Sequence, residues 1–447
     1  MTLSGDKTMN LMFAAVIAVT TLVWGMDVAA AVWPAGVHPL WAARHETVLL
    51  TGLLSMAMMS LAMLLATRPT WLEKPLGGMD RVYRGHKWAG LLAGLFAILH
   101  WLADQAGGPI KSLISKAGRL PKEEYAGLLG RLQHLAKDMG EWAFYAIVIL
   151  LLIALWKKFP YRPWRLLHRV MPALYLILAA HAALLAPAAY WRQPVGWLVA
   201  ALLAVGAHAA LSSLRGAIGR GRRATGEIVA IAQPSRELVT VSCRLHHGWR
   251  GHRPGQFAFV TFDAGEGAHP FTIASADRGD ACVSFQIKAL GDYTRQLAGR
   301  LRPGQAVQVE GPYGCFDLAR ADRRAQQIWI AGGVGVTPFL AWLESLQAAP
   351  EQAPAAELHY CTRDREDDPF VVRLEGLCAG LPNIRLQVHG DRQGQRLDAD
   401  GLMRNAPAGR RSEIWFCGPS GLAAALRDGL RQWGQPVRFH QEAFDMR

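Results

Sequence analysis

No cysteine occurs before Cys243, and the six present (Cys243, Cys282, Cys315, Cys361, Cys378 and Cys417) contain no C-x-x-C pair. That excludes a disulfide framework and a cysteine zinc site and suits a reducing compartment. Charge is also scarce where the chain is most apolar. Residues 1–214 hold 19 Lys+Arg and only 10 Asp+Glu, with long runs carrying no charge at all. Residues 215–447 hold 29 and 25 and read as ordinary soluble protein. No EF-hand loop interrupts either half, so nothing points to calcium control. With 51% hydrophobic residues over 447 positions, a disordered or collagen-like chain is excluded. Most of the net charge of +13 lies between hydrophobic runs, an arrangement that argues for membrane topology and against nucleic acid binding.

Six runs read as spanning helices, which need about 20 apolar residues each. Four are long: 11–33, 47–67, 170–190 and 194–214. Two, 88–103 and 142–156, are short but flanked by Lys87 and Lys157, whose stems can snorkel. Arg68, Lys74, Arg81, Arg84 and Lys87 fall between runs two and three, and Lys157, Lys158, Arg162, Arg165 and Arg169 between four and five. Arg215, Arg220, Arg222 and Arg223 follow run six. The positive-inside bias therefore predicts a multi-pass protein of the cell membrane with both termini in the cytosol.

Run three holds His86 and His100, and run five holds His168 and His181. Fourteen steps of about 100° return to within ~40° of one face, with a rise of about 21 Å. Thirteen steps miss by ~140°, and Pro172 between the second two histidines offers the kink that would correct it. Imidazoles within a membrane are costly and face a bundle interior or a cofactor. Two pairs with matched spacing predict bis-imidazole ligation of two stacked haems, His86 with His168 and His100 with His181. A histidine-lined metal transporter is the competing use, and a lone His208 is expected to be a plain polar side chain.

After Gly221 short alternating segments appear at 226–231, 238–243, 256–261 and 281–287, the pattern of a small antiparallel barrel. From 327 the order becomes strand (328–330), glycine turn (Ala331-Gly-Gly-Val-Gly-Val-Thr-Pro338), helix, strand (357–360), a parallel α/β nucleotide unit. Glycines there let backbone N–H groups approach a pyrophosphate, and Pro338 suits the first helical turn. Three further stretches carry binding chemistry: His269-Pro270-Phe271-Thr272 through Ser275, Lys288 to Thr294 with Gly291, and Cys417-Gly418-Pro419. Arg363 follows the second strand of this unit, where a guanidinium can hold a 2′-phosphate.

Taken together, in this order, these motifs resemble the bacterial NADPH oxidase and ferric reductase superfamily over nearly the whole chain from Leu11. The resemblance implies a six-helix membrane domain with two b-type haems (1–221), a FAD-binding β-barrel domain (222–322) and an NAD(P)H-binding α/β domain (323–447). It implies that His86 and His168 hold the inner haem and His100 and His181 the outer one. It places His269, Pro270, Phe271, Thr272 and Ser275 at the isoalloxazine, with Thr272 near its reactive nitrogen, and Lys288, Gly291 and Thr294 at the FAD diphosphate. Gly332, Gly333, Gly335, Thr337 and Pro338 would take the NAD(P)H phosphates, Cys417, Gly418 and Pro419 the nicotinamide, and Phe444 would shield the flavin. The implied activity is transfer of electrons from cytosolic NADPH (NADH being possible) through FAD and haem to an acceptor on the outer face, O2 or a ferric chelate. Animal oxidases carry another histidine one turn beyond the outer ligand, where this chain has Asp104. A membrane-tethered flavin sensor without haem is the alternative from another class.

Overall fold

The structure, a computed structural model, describes residues 4–121, 125–156, 158–403, 411–432 and 437–442. Two compact units emerge, one from residues 6–69 and 81–218, the other chiefly from 70–80 and 219–447. The short stretch 70–80 lies between two membrane helices in sequence, yet it folds with the second unit.

The first unit is helical. Helix α1 (Ser4–Ala30) and α2 (Pro39–Ala66) precede α3 (Thr70–Leu76), which belongs to the second unit. There follow α4 (Met79–Gln105), α5 (Gly107–Ile114), α6 (Gly127–Leu155), α7 (Tyr161–His168), α8 (Met171–Leu185) and α9 (Pro194–Leu214). Six spans among the described residues are long and apolar enough to cross a bilayer, at the six places the sequence predicts. The two short runs lie inside α4 and α6, which continue through Arg81, Arg84 and Lys87 and through Arg131 and Lys137. Lysine and arginine are good helix formers, so the helices outlast the apolar text. Large apolar side chains such as Leu152 and Trp197 remain exposed all over this unit, whereas after Leu214 only Leu290 and Val372 do among the described residues. A face that apolar needs lipid.

The second unit opens with an antiparallel sheet in the order β4-β3-β6-β1-β2-β5. Its strands are β1 (Arg223–Ser235), β2 (Leu238–Leu245), β3 (Phe257–Thr261), β4 (His269–Thr272), β5 (Cys282–Lys288) and, after helix α10 (Asp292–Arg300), β6 (Ala306–Tyr313). A bridge between Ile273 and Phe285 joins the end of β4 to β5 and closes the barrel. His269–Thr272 is not among the alternating segments that the sequence pattern marks as strands. It is a strand, and Pro270 is tolerated because β4 pairs along one side with β3. Gly311, Pro312 and Tyr313 lie inside β6.

The remainder is a parallel sheet in the order β11-β10-β7-β8-β9. It comprises β7 (Gln326–Gly332), α11 (Thr337–Gln347), β8 (Ala356–Thr362), α12 (Pro369–Ala379), β9 (Ile384–Gly390), α13 (Ala399–Met403), β10 (Ser412–Cys417), α14 (Ser420–Gln432) and β11 (Val437–Gln441). The winding reverses at β7, with β8 on one side and β10 on the other, and such a switch point leaves a crevice at the strands' carboxyl ends. Beneath it Trp329, Phe339, Trp342 and Trp415 are fully buried around Phe316. Trp342 Nε1 also donates to the Pro254 carbonyl at 3.0 Å, tying α11 to the loop before β3.

Candidate functional site

Four imidazoles meet in two pairs within the helical unit. The ring centroids of His86 and His168 are 6.0 Å apart, those of His100 and His181 6.4 Å. Two metal–nitrogen bonds of about 2.0–2.1 Å, with about 1.1 Å from nitrogen to ring centre at either end, place opposed imidazoles about 6.3 Å apart. Each pair leaves the room one metal ion requires. The phase problem of run five is solved by a break: α7 ends at His168, and α8 restarts with Pro172 in its first turn.

The rings are also held in the orientation that ligation demands. His86 Nδ1 lies 2.9 Å from the Ala62 carbonyl, His100 Nδ1 2.9 Å from that of Val48, and His181 Nδ1 2.9 Å from that of Ala136. Donation from Nδ1–H to a carbonyl fixes the tautomer and leaves Nε2 with its lone pair. His168 is held by stacking on Trp164 at 5.3 Å. Two glycines make space: a Cβ on Gly52 would lie 3.1 Å from His100 Nδ1, and one on Gly140 would overlap the His181 ring. Lone His208 is exposed and sits in neither pair. Among the described residues no group of three or more His, Cys, Asp or Glu converges as a bare metal ion would need. Two opposed imidazoles would suit an iron whose other ligands a porphyrin supplies. A cavity of about 270 Å³ lies beside His100 and His181, its lining mostly apolar (Met56, Phe144, Leu178) with Asp104 included. Asp104 is paired with Arg44 at 2.7 Å.

In the barrel, His269 stacks on Tyr293 at 4.5 Å and near-parallel, with Phe271 half-buried beside it. Thr272 is buried at the end of β4, opposite Phe257. Thr294 shapes the start of α10, its Oγ1 accepting from the N–H groups of Leu290 and Gly291 at 3.0 Å. Gly291 itself opens onto empty space. Lys288 Nζ is 3.6 Å from Glu237, and Ser275 Oγ accepts from Ser284 N at 3.1 Å, so the Ser275 hydroxyl is engaged in holding the sheet. The Tyr293 hydroxyl is buried without a hydrogen-bond partner among the described residues, and burial pushes its pKa up to about 12. An unpaired buried donor beside an aromatic pair and an open glycine turn fits a dinucleotide such as FAD, which would pair it.

At the crevice of the parallel sheet, Gly333 has φ +54°, a backbone setting that favours glycine, and nothing stands above it. Gly335 passes so close to the Cys417 carbonyl that a Cβ would collide, and a Cβ on Gly418 would lie 3.0 Å from Gly332 N. These glycines let the ends of β7 and β10 meet under the phosphate turn. Thr337 Oγ1 donates to Val334 O at 2.6 Å and Pro338 stands in the first turn of α11, so both set the turn's shape. Pro419 caps the other side against Gly332. Arg363 is exposed directly after β8. Its neighbour Asp364 is taken by Arg392 at 2.7 Å and by Gln393 at 3.1 Å, and among the described residues no carboxylate pairs with Arg363. Phe444 and Lys157 lie outside the described residues.

Two buried carboxyls lie against Gly314. Glu442, after β11, is buried with its Oε2 unpaired among the described residues, and burial, then Asp80 and Glu73, raise its pKa well above the usual glutamate value. Its Oε1 would be 2.9 Å from a Cβ on Gly314. Glu73, from α3, accepts from the N–H of the same Gly314 at 2.6 Å, and burial raises its pKa too. Cys417 is buried beside them, its thiol pushed up by burial and then by Glu442. A raised glutamate contributes stability fully below its unfolded value, near 4.5, and loses it as pH rises through the folded value. Glu442→Gln is therefore expected to unfold at a midpoint that gains on the wild type steadily as pH is raised above 4.5 in thermal scans. Parallel profiles would show that Glu442 is not held protonated.

Residues 51–179 match the family "Ferric reductase like transmembrane component", and residues 225–317 match "FAD-binding domain". The first match falls on the helical unit and the second on the antiparallel sheet, so each part resembles the family it matches. Curated relatives of this chain include a vanillate O-demethylase oxidoreductase of Pseudomonas putida, 31% identical over 34% of this chain and 45% of its own length. A flavohemoprotein of Pseudomonas putida is 29% identical over 41% of this chain and 48% of its own. An NADPH oxidoreductase of Mycobacterium tuberculosis is 26% identical over 50% and 60%. The chain spans about half the length of the curated relatives it matches.

Proposed function

We propose that this membrane oxidoreductase carries electrons from cytosolic NADPH through FAD and two b haems to an acceptor on the outer face. The observation that carries the reading is the two imidazole pairs, 6.0 and 6.4 Å between centroids, three of the four rings tethered through Nδ1. When bound, FAD accepts a hydride and releases electrons singly, which haem carries one at a time. The chain's part is positional. His86 with His168 and His100 with His181 would hold the iron of each haem, and α4 separates His86 from His100 by about 21 Å of rise. Thr272, Tyr293 and Thr294 would seat FAD, the Gly332–Pro338 turn would present backbone N–H groups to the NADPH phosphates, and Cys417 with Gly418 and Pro419 would border the nicotinamide. The basic loops favour a cytosolic reductase half; its resistance to protease in inside-out vesicles would refute that orientation.

O2 is the favoured acceptor because the surroundings of the outer pair are mostly apolar, which suits a small neutral molecule; a ferric chelate is the alternative. The Soret band of bis-imidazole haem in purified protein, at two haems per chain, with NADPH-driven superoxide formation, tests the whole reading. A haem-free flavoprotein would leave only the tethered sensor, and ferric reduction without superoxide would select the chelate.

Arg363 is assigned the 2′-phosphate. Arg363→Ala is expected to lower kcat/KM for NADPH about tenfold or more while sparing NADH, the size of a charge-assisted pair. In the same assay Phe444→Ser should alter KM for the nicotinamide and shift the NADH/NADPH ratio without thermal destabilisation, if the ring covers the flavin. Equal use of both nucleotides by wild type and both variants would remove the two assignments.

A further inference from the structure

The second unit contains a cavity of about 700 Å³ that none of the candidate FAD or NAD(P)H residues line. Lys74 and Trp71 of α3 face it, together with Arg222, Arg250 and Arg320. Arg253 raises the cations to five, against three carboxylates. Each carboxylate is already committed. Asp317 pairs with Arg253 at 2.8 Å, Asp277 accepts from His252 N and Gly279 N at 3.0 Å, and Glu73 holds Gly314 N. Of the cations, Arg222 donates to the Pro312 carbonyl at 2.9 Å and Arg320 to that of Cys315 at 3.5 Å, bonds that place the guanidinium without neutralising it. Among the described residues neither Lys74 nor Arg250 is paired with a carboxylate. The lining thus carries two more cations than carboxylates, and Lys74 and Arg250 are cations that no carboxylate holds among the described residues.

Chain connectivity says what reaches it. Thr70 stands four residues after Ala66, the end of one span, and Lys74 five residues before Met79, the start of the next. Arg222 stands eight residues after Leu214, the end of the last span. At about 3.3–3.6 Å per residue even extended links keep Thr70 within ~14 Å and Arg222 within ~28 Å of those ends. By parity all three ends emerge on one side of the bilayer. Trp71 is 66% exposed, the amphipathic ring that membrane interfaces favour. Basic residues there attract anionic lipids.

We propose that this cavity binds the phosphate of an anionic phospholipid headgroup. Its occupant would fasten α3, and through Glu73 the Gly314 backbone beside Glu442. The proposal stands independently of the haem assignment.

The test uses full-length, FAD-loaded protein in a neutral detergent, titrated with short-chain phosphatidylglycerol and read by intrinsic tryptophan fluorescence and by the thermal midpoint. Phosphatidylcholine and inorganic phosphate are the parallel arms. Phosphatidylglycerol should bind saturably and raise the midpoint, and Arg250→Gln/Arg320→Gln should weaken it about tenfold or more with flavin content unchanged. Equal affinity for phosphatidylcholine, or an unchanged affinity in the double variant, would overturn the site and assign any lipid effect to the spans. Inorganic phosphate binding as tightly as the lipid would overturn the lipid as its source. Should the double variant lose flavin, Arg250→Gln alone is measured by the same titration, with the same two outcomes.

Discussion

His100→Leu is expected to lose about half of the bound haem while flavin reduction by NADPH continues at the wild-type rate. Two imidazole pairs imply two sites, and leucine removes one ligand of a single pair, the His100–His181 pair at 6.4 Å. The second unit does not contain that residue, so flavin reduction should be untouched, while delivery to the proposed outer acceptor should fall to background. Pyridine-haemochrome quantitation against protein reads the first effect and stopped-flow flavin bleaching the second. Full haem content in the variant would sink the assignment of His100. Simultaneous loss of flavin reduction would show instead that the variant is misfolded, which His86→Leu, at the other pair, would help to separate.

Gly140→Ala should produce the same half-loss without touching a ligand. The added Cβ would fall on the His181 ring, whose Nδ1 is bonded to Ala136 one turn earlier on the same helix, α6. The imidazole must leave either its carbonyl or its place opposite His100. The helix itself gains, since alanine exceeds glycine by up to about 1 kcal/mol in a helix interior. A variant no less thermostable than wild type, yet short of one haem, is thus the expected outcome. Gly90→Ala on α4, where a Cβ meets nothing within 4 Å, is the matched control and should keep both haems. Wild-type haem content in Gly140→Ala would mean that His181 is not held as the geometry shows.

Much of this protein is legible in its text because the deciding signals are local. A span needs only length and apolarity, so all six appear in order. The glycines of the 332–338 turn announce themselves because close backbone approach needs glycine, whereas the residue types gathered at 269–272 draw notice without revealing the strand they form. The phase of the second histidine pair was only half legible. Pro172 marked a disturbance, but whether it kinked the helix or ended it depends on what the flanking turns pack against.

What lies far apart in sequence was invisible. Nothing about Glu73 distinguishes it from other loop acids, and its bond to Gly314 spans a separation of 241 positions. The same is true of Glu442, whose raised pKa comes from burial first and from Asp80 and Glu73 next, all consequences of chain return. Arg363 shows the converse. Asp364 is its neighbour in sequence, yet the folded chain gives that carboxylate to Arg392. The sequence by itself determined the membrane class, the barrel and parallel-sheet order and the histidine candidates, because periodicity, composition and turn chemistry act within a few residues. Tertiary structure alone decided which glycines make room for the imidazoles and that residues 70–80 fold with the second unit, because those are facts about pairs of surfaces and no single stretch of chain contains both members.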